Sequence, residues 1–206
     1  MVKQILAAAA LLAAGGASAA DMFNGRDFSG WELRTEPAAS IASVFSVQAD
    51  GVIASAGQPL GFLATTANYR NYKLHVEWRW PGKTGNGGVL LHISPGPMDR
   101  VWPLSQQVQT KFGSVGDLLP MAGASFSEPL TGDKPPVKAH IAASSERRAG
   151  EWNSADIVSR DGTIEVTVNG VLQNRISNAA PREGRIGFQL EGTPYELRNV
   201  QLVPLD

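Results

Sequence analysis

Apolar and polar residues alternate with a period of two in short runs along most of the chain, and Gly, Pro, Asn and Asp separate the runs. From residue 41 onward no window of a dozen residues carries a convincing helical stripe, so the pattern predicts an all-β sandwich or barrel. The clearest strand is Tyr72 to Trp80. There Tyr72, Leu74, Val76, Trp78 and Trp80 alternate with Lys73, His75, Glu77 and Arg79, giving one buried face and one polar face. Further strands are expected at Ser43 to Gln48, Gly61 to Thr66, Gly87 to Ser94, Ser105 to Phe112, Trp152 to Ser159, Thr163 to Val168, Arg185 to Glu191 and Tyr195 to Val203. Asp161-Gly162 and Asn169-Gly170 bracket Thr163 to Val168, and such Asx-Gly pairs favour tight hairpin turns, so residues 152 to 174 read as a three-strand meander.

Two segments depart from this pattern. Residues 1–20 combine Lys3, an apolar run from Ile5 to Ala14 and an Ala17-Ser18-Ala19 cleavage pattern, which reads as a secretory signal peptide too short to cross a bilayer. A soluble exported protein follows, periplasmic or extracellular, with residues 21–206 as a single domain. Between Phe112 and Gly150 periodicity fades and Gly and Pro recur. The apolar Leu118, Leu119, Met121 and Phe126 in this stretch favour an ordered loop.

Composition narrows the chemistry. Eighteen Lys and Arg against nineteen Asp and Glu leave a formal charge of −1 with no basic block, so no nucleic-acid partner is expected. The absence of cysteine removes disulfides, thiol nucleophiles and thiolate metal sites. No nucleophile elbow, phosphate-binding glycine loop, dinucleotide fingerprint or His-Glu-x-x-His motif occurs. His75, His92 and Glu77 could supply a divalent metal site, but their spacing matches no ligand motif, and no cofactor is expected.

Set side by side, the polar strand faces collect His75, Glu77, Arg79, His92, Gln107, Gln109, Lys111, Gln189 and Glu191. Such amides, carboxylates and guanidinium groups suit a sugar-binding groove, with Trp102 or Trp152 as stacking platforms at its rim. The same residue types also furnish any solvated sheet face. Among the ionisable groups His92, Glu77 and Glu191 are the acid–base candidates, and His140 ranks lower because it lies in the loop-rich stretch.

Five blocks in order carry a resemblance over nearly the whole mature chain: FNGRDFSGWEL (Phe23 to Leu33), YRNYKLHVEWRWPGKTGNGGVLLHI (Tyr69 to Ile93), WPLSQQVQTKFGSVGDL (Trp102 to Leu118), GEWNSADIVSRDGTIEVTVNGVLQN (Gly150 to Asn174) and GRIGFQLEGTPYELRNVQLVPL (Gly184 to Leu205). Together they resemble the 3-keto-disaccharide hydrolase domain family. The resemblance implies an antiparallel two-sheet jelly-roll β-sandwich, concanavalin-like, with long loops. It places Glu77, Arg79, Asn86, Gln107, Gln109, Asp117 and Gln189 in the groove region. Gln107 stands where the family commonly has Glu, and His92 where many relatives have Arg.

The implied reaction is cleavage of a 3-keto-glycoside. A ketone at C3 acidifies the C2 proton, so a modest base can remove it while the aglycone leaves C1, and water can then add. On that route His92 or Glu77 would be the base and Glu191 or Glu77 the acid. Arg79 or Lys111, with Gln107, Gln109 and Gln189, would donate to the enolate and position the substrate. A sugar 3-oxidoreductase would be a functional partner. Two alternatives use the same residues: a non-catalytic carbohydrate-binding protein, and a cell-envelope interaction domain whose groove is filled by the 112–150 loop.

Overall fold

A computed structural model describes residues 18–206. The leader read over residues 1–20 therefore lies, except for its last three positions, outside the described residues. The chain forms β1 (Ala20–Asp21), β2 (Trp31–Glu36), a one-turn helix α1 (Ile41–Val44), β3 (Phe45–Val47), β4 (Ile53–Ser55), β5 (Leu60–Thr65), β6 (Tyr72–Arg79) and β7 (Gly88–Ile93). There follow β8 (Met98–Asp99), β9 (Trp102–Pro103), β10 (Ser105–Gln109), β11 (Leu118–Met121), β12 (Gly132–Asp133) and β13 (Pro136–Val137). The last five are β14 (Asn153–Arg160), β15 (Thr163–Val168), β16 (Val171–Ile176), β17 (Arg185–Leu190) and β18 (Tyr195–Pro204).

Two antiparallel sheets build the sandwich. The larger runs β16-β15-β14-β6-β18-β4-β3, with β1 added on β18, and the smaller runs β11-β10-β7-β17-β5-β2. Alternation decides what each strand buries. Tyr72, Leu74, Val76 and Trp78 of β6 point into the core, as do Val89 and Leu91 of β7, Val108 of β10 and Phe188 and Leu190 of β17. The expected meander is present as β14, β15 and β16. Its turns place Asp161 and Asn169 at φ of 50° and 47° and Gly162 and Gly170 at 83° and 82°, the paired positive values that a two-residue I′ turn requires.

Three strands carry weaker signals in the sequence. In β2 only Trp31 is buried, β4 has three residues, and β11 contains Pro120, which donates no ladder hydrogen bond and sits on the sheet edge. Ile41–Val44, within reach of the expected first strand, turns into α1 because the Ser40 hydroxyl caps the Ser43 N–H.

The smaller sheet contains one break in alternation. Between β7 and β17 the register shifts, and His92 adopts φ 56°. Both Leu91 and His92 then face inward, while Ile93 turns outward onto Phe62, Ala64 and Leu90.

Candidate active site

The two sheets separate residues that strand alternation alone had pooled. Lys73, His75, Glu77 and Arg79 stand on the outer face of the larger sheet, whereas Gln107, Gln109 and Gln189 stand on the outer face of the smaller one. Glu77 is therefore not a groove residue. Its carboxylate accepts from Arg198 Nε at 2.6 Å and Asn199 Nδ2 at 2.8 Å. Partial burial pushes its pKa up, but the hydrogen bonds from Asn199 and Arg198 outweigh this and hold it below the ordinary carboxylate range. Arg79 pairs with Glu196, and Arg79 and Arg198 both stack on the Trp152 ring, so Arg79 and Trp152 also leave the groove. His75 contacts Asp156 at 2.7 Å on the same face.

His92 is fully buried between the sheets. Its Nδ1–H donates to the Pro181 carbonyl at 3.1 Å, its Nε2 lies 3.0 Å from the Ser159 hydroxyl, and its ring meets Tyr72 edge-on. Desolvation lowers its pKa to about 4. The bulge, invisible to strict alternation, is the reason the expected base is a core residue. Asp117 is buried as well, accepting from the backbone N–H of His140 at 2.8 Å and contacting its Nδ1 at 2.6 Å. This pair anchors the long loop and does not line the groove.

The remaining candidates converge. A cleft of ≈ 470 Å³ opens on the outer face of the smaller sheet and is lined by Asn86, Trp102, Gln107, Gln109, Lys111, Gln189 and Glu191. Its floor is a chain of amides: Gln189 Nε2 donates to Gln107 Oε1 at 3.2 Å, and Gln107 Nε2 donates to Gln109 Oε1 at 2.7 Å. The three are only 2–8 % exposed. Gly88 lies beneath them, and a Cβ there would come within 2.6 Å of Gln189 Oε1 and 2.8 Å of Gln107 Nε2. Gln189 Oε1 and Asn86 Oδ1 are closed off from solvent and have no protein partner.

At one margin stands Glu191, partly desolvated. Burial raises its pKa and Lys111 opposes the rise without cancelling it. On the ribbon formed by β8 and β9, Asp99 is the second carboxylate of the lining. Sequence reasoning missed it, because a two-residue strand after Pro95-Gly96-Pro97 leaves no periodic signal. The 112–150 segment carries β11, β12 and β13 and contributes cleft wall through Leu119, Pro120, Met121, Pro135 and Pro136. It lines the cleft and leaves its volume open. Among the described residues no three His, Asp or Glu gather so as to hold a metal ion.

Residues 18–203 match the 3-keto-alpha-glucoside-1,2-lyase-like domain. The chain belongs to that family. No curated protein matches its sequence. Among solved structures it is similar to a protein from Parabacteroides distasonis assigned as a glycosyl hydrolase, at 23% identity and TM-score 0.67 over 94% of this chain and 95% of that one. It is also similar to carbohydrate-binding module CBM66 from Bacillus subtilis, at 10% identity and TM-score 0.56 over 84% and 95% of the two chains. An endo-beta-1,3(4)-glucanase of family GH16, SCLam, aligns at 11% identity and TM-score 0.56 over 90% and 86%. These likenesses establish a jelly-roll fold shared by glycosyl hydrolases and carbohydrate-binding modules.

Proposed function

We propose that the protein is exported and cleaves a 3-keto-glycoside in the amide-lined cleft. The observation that carries the reading is an open cleft floored by a chain of amides beside a partly desolvated carboxylate. Lys111 and the Gln109 amide N–H at the free end of the chain donate to the C3 oxygen, and Trp102 offers an apolar wall. Glu191, kept protonated to higher pH by burial, gives its proton to the glycosidic oxygen. Asp99 takes the proton from C2. The C2–H electrons form the C1–C2 double bond as the C1–O bond breaks, releasing the aglycone as an alcohol, and water then adds across the enone.

A ketone at C3 is the oxidised form of a sugar hydroxyl, so a sugar-oxidising reaction supplies the substrate. Residues 1–20 carry the export reading. A second reading, carbohydrate binding without turnover, draws on the neutral amide Gln107 in the floor. Incubating the protein with a 3-keto-glucoside and with its unoxidised parent separates the two. Aglycone release from the keto-sugar alone supports cleavage, whereas keto-sugar binding with no release establishes binding without turnover.

A further inference from the structure

A second cleft, of ≈ 520 Å³, opens on the same outer face of the smaller sheet. The β8–β9 ribbon divides the two. Asp99 and Trp102, a cross-strand pair, face the amide-lined cleft, and Met98 and Pro103, the next pair, face the second one. The floor of the second cleft exists because of the His92 bulge, which turns Ile93 outward beside Phe62. Met98, 37 % exposed, is the most accessible apolar group of this cleft, standing over Phe62 and Ile93, which are 5 % and 7 % exposed.

The polar groups around this floor are unequal. Arg185 is occupied by Glu32 at 2.9 Å and by the Thr65 carbonyl. Arg34 is exposed and, among the described residues, has no carboxylate within 4.0 Å. Asn68, also exposed, lines the same cleft. An apolar floor, an uncommitted guanidinium and an amide together fit a polyhydroxylated ring bearing a carboxylate.

Resting on the reading of the amide-lined cleft as the keto-sugar site, we propose that this second cleft takes a uronic acid unit of the same glycan. Its carboxylate pairs with Arg34, its hydroxyls with Asn68, and its apolar face lies chiefly on Met98 at the edge of the Ile93–Phe62 floor. The substrate then passes over the β8–β9 ribbon and fills both clefts, which makes it an acidic glycoside.

Titration of the protein with methyl β-glucuronide, followed through the methyl NMR signals of Met98 and Ile93, tests this directly. Glucuronide is expected to shift both signals at concentrations at least about tenfold below those needed with neutral methyl β-glucoside, a difference of about 1.4 kcal/mol. Arg34→Gln erases that difference and Arg34→Lys restores part of it. Equal response to glucuronide and glucoside, an unchanged preference in Arg34→Gln, or tighter binding of benzoate than of glucuronide would overturn the assignment. Glucuronide binding in a protein that cleaves no keto-sugar would remove the function reading and leave this site. Keto-sugar cleavage without glucuronide binding would remove this site alone.

Discussion

The two outer faces of the sandwich carry similar residue types and use them differently. On the larger sheet Glu77, Arg79, Glu196 and Arg198 are consumed by one another across neighbouring strands, and Trp152 is covered by two guanidinium groups. These four charges are paired and keep contact with solvent, which is how a sheet face stays wet and folded. On the smaller sheet the buried groups are amides, two acceptors lack partners, and Glu191 is desolvated beside an open volume. Charge density alone points to the larger sheet. An open volume lined by amides and a desolvated carboxylate points to the smaller one.

The largest expected effect separates the faces by a pair of isosteric substitutions. Glu191→Gln should lower kcat for keto-glucoside cleavage by about 10²–10⁴, the range for loss of a general acid. Glu77→Gln should stay within about threefold of wild type, because it breaks only surface pairing worth about 1 kcal/mol. Comparable losses in both variants would dissolve the distinction between the faces.

Gly88→Ala should come next. Its Cβ must displace Gln107 and Gln189, so KM should rise about tenfold for roughly one to two hydrogen bonds lost, with the fold retained by circular dichroism. An unchanged KM would show that the amide chain does not touch substrate.

A smaller effect concerns pH. Lys111 partly offsets the burial of Glu191, so Lys111→Met should raise the acid's pKa further and move the alkaline limb of the kcat profile to higher pH. Movement to lower pH would exclude Glu191 as the proton donor.

Outside both faces, His92 should govern acid stability. It is neutral when folded and has its ordinary pKa when unfolded, so its contribution is complete above about pH 6.5 and is lost as pH falls towards 4. His92→Asn, a residue that tolerates positive φ, should flatten the dependence of Tm on pH over that window. An unchanged slope would place the acid sensitivity elsewhere.

Strand positions were legible because inward residues such as Leu74, Val76 and Trp78 alternate without interruption. The face each strand presents was not, since it depends on β6 pairing with β14 and β18 while β7 pairs with β10 and β17, contacts distant in sequence. Gln107, Gln109, Gln189 and Glu191 could be chosen from alternation and family resemblance together. His92 could not be placed, because one bulge reverses its direction, and Asp99 sits on a strand too short to show a period.

The central claim is that sugar enters at the smaller sheet, and the five tryptophans divide usefully: Trp31, Trp78 and Trp80 in the core, Trp102 in the amide-lined cleft and Trp152 on the opposite face. Fluorine NMR of 5-fluorotryptophan-labelled Glu191→Gln protein, titrated with a 3-keto-glucoside and assigned with Trp102→Phe and Trp152→Phe, reads both faces at once. The Trp102 resonance should shift with sugar while the Trp152 resonance holds still. A shift at Trp152 with Trp102 unmoved would contradict the account.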